Sequence, residues 1–100
     1  MTGDREVPLV WVIAGEPSGD LLGARLIASL RERTEGNIRI KGVGGEDMEN
    51  EGLTSLFPIS DIAVMGLIEI IPRLPLIKRR MRETVSRIRA DKPDIVISID

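Results

Sequence analysis

The sequence predicts an α/β protein built on a Rossmann-like, doubly wound parallel sheet. Three observations carry this. VPLVWVIA (Val7–Ala14) is a continuous apolar run rich in β-branched residues, which suits a strand covered on both faces. KPDIVISID closes the chain with a second such run, in which Ile95, Val96, Ile97 and Ile99 are apolar. Between the two, apolar residues recur at helical spacing, so strands and helices alternate and the sheet is expected to be parallel.

Gly15 ends the first strand. Ser18 or Asp20 is placed to cap the following helix, where a carboxylate also suits the helix dipole. Leu22, Leu26 and Leu30, flanked by Gly23 and Ile27, form the apolar stripe of that helix, and TEGN breaks it. IRIKGVG (Ile38–Gly44) alternates as a second strand. GGEDMENEG reads as a short acidic helix or turn, and LTSLFPIS as a short third strand around Leu53–Phe57 that Pro58 limits. Residues 61–90 read as helix in two pieces, interrupted by Pro72 and Pro75. Asp91, Lys92 and Pro93 turn the chain into its last strand, which is expected to be buried. The 100 residues make one domain, 1–100, and an incomplete one, because a doubly wound domain continues past such a strand into another loop and helix.

Composition narrows the chemistry. With 42% apolar residues the chain can bury a core, and its patterning is that of an ordered protein. It has no cysteine and no histidine, which removes disulfides, thiolate metal sites, the histidine general base and Ser-His triads. Acid–base work must fall to carboxylates, lysines or the substrate. One Trp, one Phe and no Tyr leave little for base stacking, which argues against a nucleic-acid partner. MTGDREVPLV carries acids and lacks the apolar core of a signal peptide, and no apolar run reaches the ~18 residues of a membrane span. The expected compartment is therefore bacterial cytoplasm. Net charge is −2 overall but −6 over residues 1–72 and +4 over 73–100, an asymmetry that suggests a basic patch facing an anionic partner.

Three constellations stand out. Gly15, Gly19 and Gly23 are spaced four apart, which matches neither the dinucleotide fingerprint nor a P-loop. Either they form a tight strand-to-helix turn, with Gly23 packed on the sheet, or the turn GEPSGD is a ligand loop. In the second case Glu16 and Asp20 accept hydrogen bonds from sugar hydroxyls, since carboxylates are poor company for phosphate. Asp100 stands at the carboxyl end of a strand, where doubly wound sheets bind ligands. It is a turn-starting residue or, with Ile97 and Ile99 desolvating it, a base. The third is IAVMGLIEIIPRLPLIKRRMRETVSRIRA. Leu74, Ile77, Met81, Val85 and Ile88 repeat as a core-facing stripe, whereas Val64–Ile71 leaves only Gly66 and Glu69 as a polar face. Seven of the fourteen basic residues fall within Arg73–Arg89, against one acid, Glu83. Apolar residues beside cations suit an interface with anionic lipids, a buried helix with a charged face, or a partner's groove.

IAGEPSGDLLGA, GVGG, EGLTSLFPISDIAVMGLIEIIPRLP and KPDIVISID, in this order, resemble the amino-terminal part of the lipid-A-disaccharide synthase family from Val12 to Asp100. The resemblance implies the acceptor-side half of a glycosyltransferase B fold, with the nucleotide-sugar half absent from this chain. It implies transfer from UDP-2,3-diacylglucosamine to 2,3-diacylglucosamine 1-phosphate (lipid X), giving a β-1,6-linked disaccharide 1-phosphate and UDP by inversion. No cofactor or metal is implied. Asp100 is then the candidate catalytic base, and Gly15, Glu16, Ser18, Gly19 and Asp20 line the substrate. Met65, Ile68, Ile70, Ile71, Leu74, Ile77, Lys78, Arg79, Arg80 and Arg82 face acyl chains or an anionic membrane. The resemblance also implies a peripheral protein on the cytoplasmic face of the inner membrane, and the 100 residues alone are expected to be inactive. The alternatives are another sugar-nucleotide enzyme of the same fold, or a non-catalytic lipid- or sugar-binding module.

Overall fold

The computed structural model describes residues 7–63 and 67–99. Three parallel strands form one sheet in the order β2-β1-β3, with β1 (Leu9–Ala14) central, β2 (Arg39–Val43) on one side and β3 (Ile95–Ile99) on the other. The register sets Val12 beside Gly42 and Ile97. The helices are α1 (Pro17–Arg33), α2 (Glu46–Asn50) and α3 (Leu67–Asp91), with a short 3-10 turn at Ile59–Asp61. Alternation along β1 divides the core. Val10, Val12 and Ala14 pack with Ile27, Ile40 and Met48 under α1. Trp11 packs on the opposite face with Val43 and Phe57, against Ile13 of the same strand and Ile88 of α3. Helices thus cover both faces of a parallel sheet whose order changes direction at β1, as the Rossmann-like expectation requires.

Several local expectations are corrected. Ser18 and Asp20 do not cap α1: Glu16 occupies the N-cap position, with Pro17 starting the helix. Proline suits that place because its missing N–H is unpaired there anyway. In α1, Gly23, Ala24 and Ile27 are buried and Leu26 and Leu30 pack half-buried against the core as expected, but Leu22 is exposed, since the glycines let the helix approach its neighbours on their side. The segment 53–57 is not a strand. It touches β2 through one parallel bridge, Gly42 to Ser55, and then the Ser55 hydroxyl takes the Gly44 amide instead.

Pro72 and Pro75 lie inside α3 and do not interrupt it. Each removes one i→i−4 bond. Pro72, Pro75 and Ile71 are exposed, which leaves water to serve the freed backbone. The expected core stripe of α3 also turns outward: Leu74, Met81 and Val85 are exposed, and only Ile77 and Ile88 are half-buried. Polar anchors on the other side set this rotation. Arg73 donates to the Ser60 carbonyl at 2.7 Å, Arg80 pairs with Asp61 at 2.8 Å, and Asp91 accepts the Trp11 indole N–H at 3.0 Å. β3 is less buried than its composition suggests, with Ile95 and Val96 exposed, because it forms the edge of the sheet.

Candidate functional site

Because all three strands are parallel, their carboxyl ends share one edge, and the Gly15–Asp20 turn lies there. Gly19 is buried where the first turn of α1 meets the end of β3. A Cβ at Gly19 would stand 3.3 Å from the Ile99 carbonyl oxygen and 3.4 Å from the Ala14 Cβ. The spaced glycines therefore serve close packing: Gly19 seats α1 on the ends of β1 and β3, and Gly23 makes room for the buried Met48. Asp100, the expected base, lies outside the described residues, as do Met65 and the side chain of Ile68. The backbone of Ile99 brings the chain to the turn nonetheless.

The polar groups of the turn divide. Glu16 and Ser18 are exposed, and the Ser18 hydroxyl donates to Glu16 Oε1 at 2.8 Å. Asp20 is buried, with 6% exposure. Its Oδ1 accepts the amides of Gly45 (2.8 Å) and Met48 (3.0 Å), and its Oδ2 accepts that of Asp47 (3.0 Å). The aspartate thus caps α2, a helix remote in sequence. Composition gave no sign of this, because capping patterns are recognisable only within a few residues of the helix they serve.

Beside the turn, Gly44, Gly45, Glu46, Ser55, Phe57 and Ser60 line an open cleft of about 410 Å³ at the carboxyl end of β2. The Arg80 guanidinium lies 5.2 Å from the centre of the Phe57 ring and binds Asp61 and Glu83, so α3 is tied to this wall. A second cleft, of about 500 Å³, opens on the α3 face of the sheet between Trp11, Lys41, Thr54, Arg87 and Asp91. There the indole hydrogen bond, ahead of the charges of Lys41 and Arg87, holds the Asp91 carboxyl below the usual carboxylate range despite its partial desolvation.

The basic segment is a surface feature. Ile71, Leu74, Met81 and Val85 recur at helical spacing on the exposed side of α3. Among the described residues, the ion pairs of this helix use Arg79, Arg80 and Arg87, which leaves Lys78, Arg82 and Arg89 outside them. Of the residues expected to face lipid, Ile70 and Ile77 are half-buried and Arg80 is turned to the protein. No helix among the described residues is long and apolar enough to cross a membrane.

Comparison with known proteins bears on all of this. A model of the lipid-A-disaccharide synthetase family matches residues 10–100. The chain is 53% identical over 92 residues to the lipid-A-disaccharide synthase of Paramagnetospirillum magneticum, covering 92% of this chain and 24% of that protein. It is 51% identical over 92 residues to that of Rhodospirillum centenum, covering 92% and 23%. Against that of Alcanivorax borkumensis it is 46% identical over 100 residues, covering 100% and 26%. The chain spans about a quarter of the length of these relatives.

Proposed function

The chain belongs to the lipid-A-disaccharide synthetase family, and on that premise we propose that it forms the acceptor-side half of a glycosyltransferase of lipid A biosynthesis. The donor is UDP-2,3-diacylglucosamine and the acceptor is 2,3-diacylglucosamine 1-phosphate. The acceptor 6-hydroxyl oxygen bonds to the donor's anomeric carbon, the bond from that carbon to the UDP oxygen breaks, and the configuration inverts. Asp100 takes the hydroxyl proton. The juxtaposition of Gly19 with the Ile99 carbonyl carries the reading, because it gathers the turn and the chain leading to Asp100 at the edge where such sheets bind ligands.

Within the site, Gly15, Glu16 and Ser18 face the sugars, with Glu16 and Ser18 offering open polar groups, while Gly19 and Asp20 support the turn from its buried side. The nucleotide half belongs to the length of the relatives that this chain does not span, so the 100 residues alone form no disaccharide. The outward face of α3 meets an anionic membrane. Ile71, Leu74, Lys78, Arg79 and Arg82 are its exposed contacts, with Ile70 and Ile77 half-buried on the same helix. On this reading, and as the family resemblance implies, the enzyme is a peripheral protein of the cytoplasmic face of the inner membrane.

Asp100→Asn in the full-length protein tests the chemistry. Loss of a general base lowers kcat by roughly 100- to 10,000-fold. A decrease below about fivefold, outside that range, would assign Asp100 a structural role instead.

A further inference from the structure

We infer that Asp20 is a positioning residue: its carboxylate fixes the Gly44–Gly45 wall of the carboxyl-edge cleft to the first turn of α1. The inference rests on the glycosyltransferase reading for what the cleft holds, and on geometry alone for the link itself.

The first amides of a helix have no carbonyl behind them to accept their hydrogens. A side chain at the N-cap usually supplies the acceptor, but the N-cap of α2 is Gly45, which has none. Asp20 supplies it from 25 to 28 residues away, taking the amides of Gly45, Asp47 and Met48 with one carboxylate. Glycine at position 45 is part of the same device, because a Cβ there would lie 2.7 Å from Asp20 Oδ2. α2 has only five residues, and isolated helices shorter than about 12–15 residues are marginal in water. Its position therefore depends on what holds it from outside: Asp20 at its N-terminal amides, the burial of Met48 against Gly23, and exposed bonds from Arg31 to the Glu51 carbonyl and from the Ser55 amide to Glu49.

The consequence reaches the cleft. Gly44 and Gly45 line it, as does Ser55, whose hydroxyl accepts the Gly44 amide at 3.0 Å. The wall is held on one side by Ser55 and on the other by Asp20. Asp20 stands in the same turn as the open Glu16 and Ser18, one residue from the Gly19 contact with Ile99. One carboxylate thus sets the distance between two parts of the ligand edge that 25 residues of chain separate. Asparagine is nearly isosteric but offers one oxygen and turns an NH2 group toward a backbone N–H, so it cannot reproduce the three bonds.

The test uses the full-length enzyme with Asp20→Asn, and with Ile27→Ala as a control that empties the core under α1 without touching the carboxylate. Misplacing a binding wall weakens substrate capture: KM for the acceptor rises about tenfold while kcat stays within about threefold. Amide exchange at Gly45, Asp47 and Met48 speeds up by at least about tenfold, as local opening becomes easier. The control lowers the melting temperature and the amount of folded enzyme but leaves KM within about twofold. The inference is overturned if Asp20→Asn leaves KM or the three exchange rates at parental values. It is equally overturned if Ile27→Ala raises KM as much at a matched loss of melting temperature, since the effect is then global. A parent without transferase activity would sink the glycosyltransferase reading, and exchange at the three amides would still judge the link.

Discussion

The outward face of α3 gives the most exposed prediction. Ile71, Leu74, Met81 and Val85 are 68%, 40%, 62% and 49% exposed, so each has about half of its surface left to bury. Full burial of such a side chain is worth ~1.5–3 kcal/mol, so the four together contribute roughly 3–6 kcal/mol on a lipid surface. Lys78, Arg82 and Arg89 add ~1 kcal/mol each near anionic headgroups. Association itself costs at least ~4 kcal/mol, which leaves roughly 2–5 kcal/mol, a reversible attachment of about millimolar strength from this face alone. Changing Ile71, Leu74, Met81 and Val85 together to Ser removes nearly all of it. Surface substitutions cost about 0.5 kcal/mol each, roughly 2 kcal/mol for the four, so the melting temperature falls by several degrees without collapsing. The assay pairs sedimentation of the full-length protein with anionic vesicles and thermal unfolding. Pelleting drops sharply, and for the parent it weakens as salt rises, because screening acts on the cations. A variant whose melting temperature falls no further than this and that still pellets like the parent refutes lipid contact here. A variant that melts far earlier shows instead that these side chains are buried in the full-length protein.

Two further outcomes follow from single contacts. Gly45→Ala brings a methyl to 2.7 Å from Asp20 Oδ2, and strain of this kind costs ~1–3 kcal/mol, read as a lower denaturant midpoint with an unchanged m-value; parental stability would mean that the Asp20 contact is not close. Asp91→Asn tests the Trp11 bond through pH: the folded carboxyl is lowered from its ordinary 3.8, so the stability it confers is present above that value and lost as pH falls through the folded pKa. The parent is then more stable than the variant at pH 7, the gap narrows steadily below about pH 4, and a gap independent of pH would remove the charge from the explanation.

What the sequence made legible is what periodicity encodes. The apolar run at Leu9–Ala14 became the central strand because a parallel strand covered on both faces needs apolar residues at every position, and this leaves an unmistakable trace. The short acidic helix and the break at TEGN were equally plain. Side-chain bonds between distant residues were not. The apolar spacing of Leu74, Met81 and Val85 is the same whether the stripe faces in or out, and the choice was made by Arg73, Arg80 and Asp91, whose partners lie 13, 19 and 80 residues away. The same limit hid the cap of α2. Proline is a weaker guide than its reputation inside α3, because exposed backbone freed by Pro72 and Pro75 has water to turn to.

The polar anchors of α3 also join its two sides mechanically. Arg80 holds Asp61 with a 2.8 Å pair and lies over Phe57, and both Phe57 and Ser60 line the carboxyl-edge cleft. Arg73 takes the carbonyl of the same Ser60. A guanidinium bound to a carboxylate and seated on a ring has little freedom to slide, since its planar fork fixes the direction of each bond. The 57–61 segment therefore moves with the helix, and the outward stripe on that helix moves with the cleft. Seating the stripe on a lipid surface would fix the cleft's orientation to that surface, with the Gly44–Gly45 wall held at its other side by Asp20. Under the proposed function, whose substrates join a sugar to acyl chains, that coupling would present the headgroup to the sheet edge while the chains stay in the lipid, and its physical basis is the polar side chains that the hydrophobic pattern of the sequence conceals.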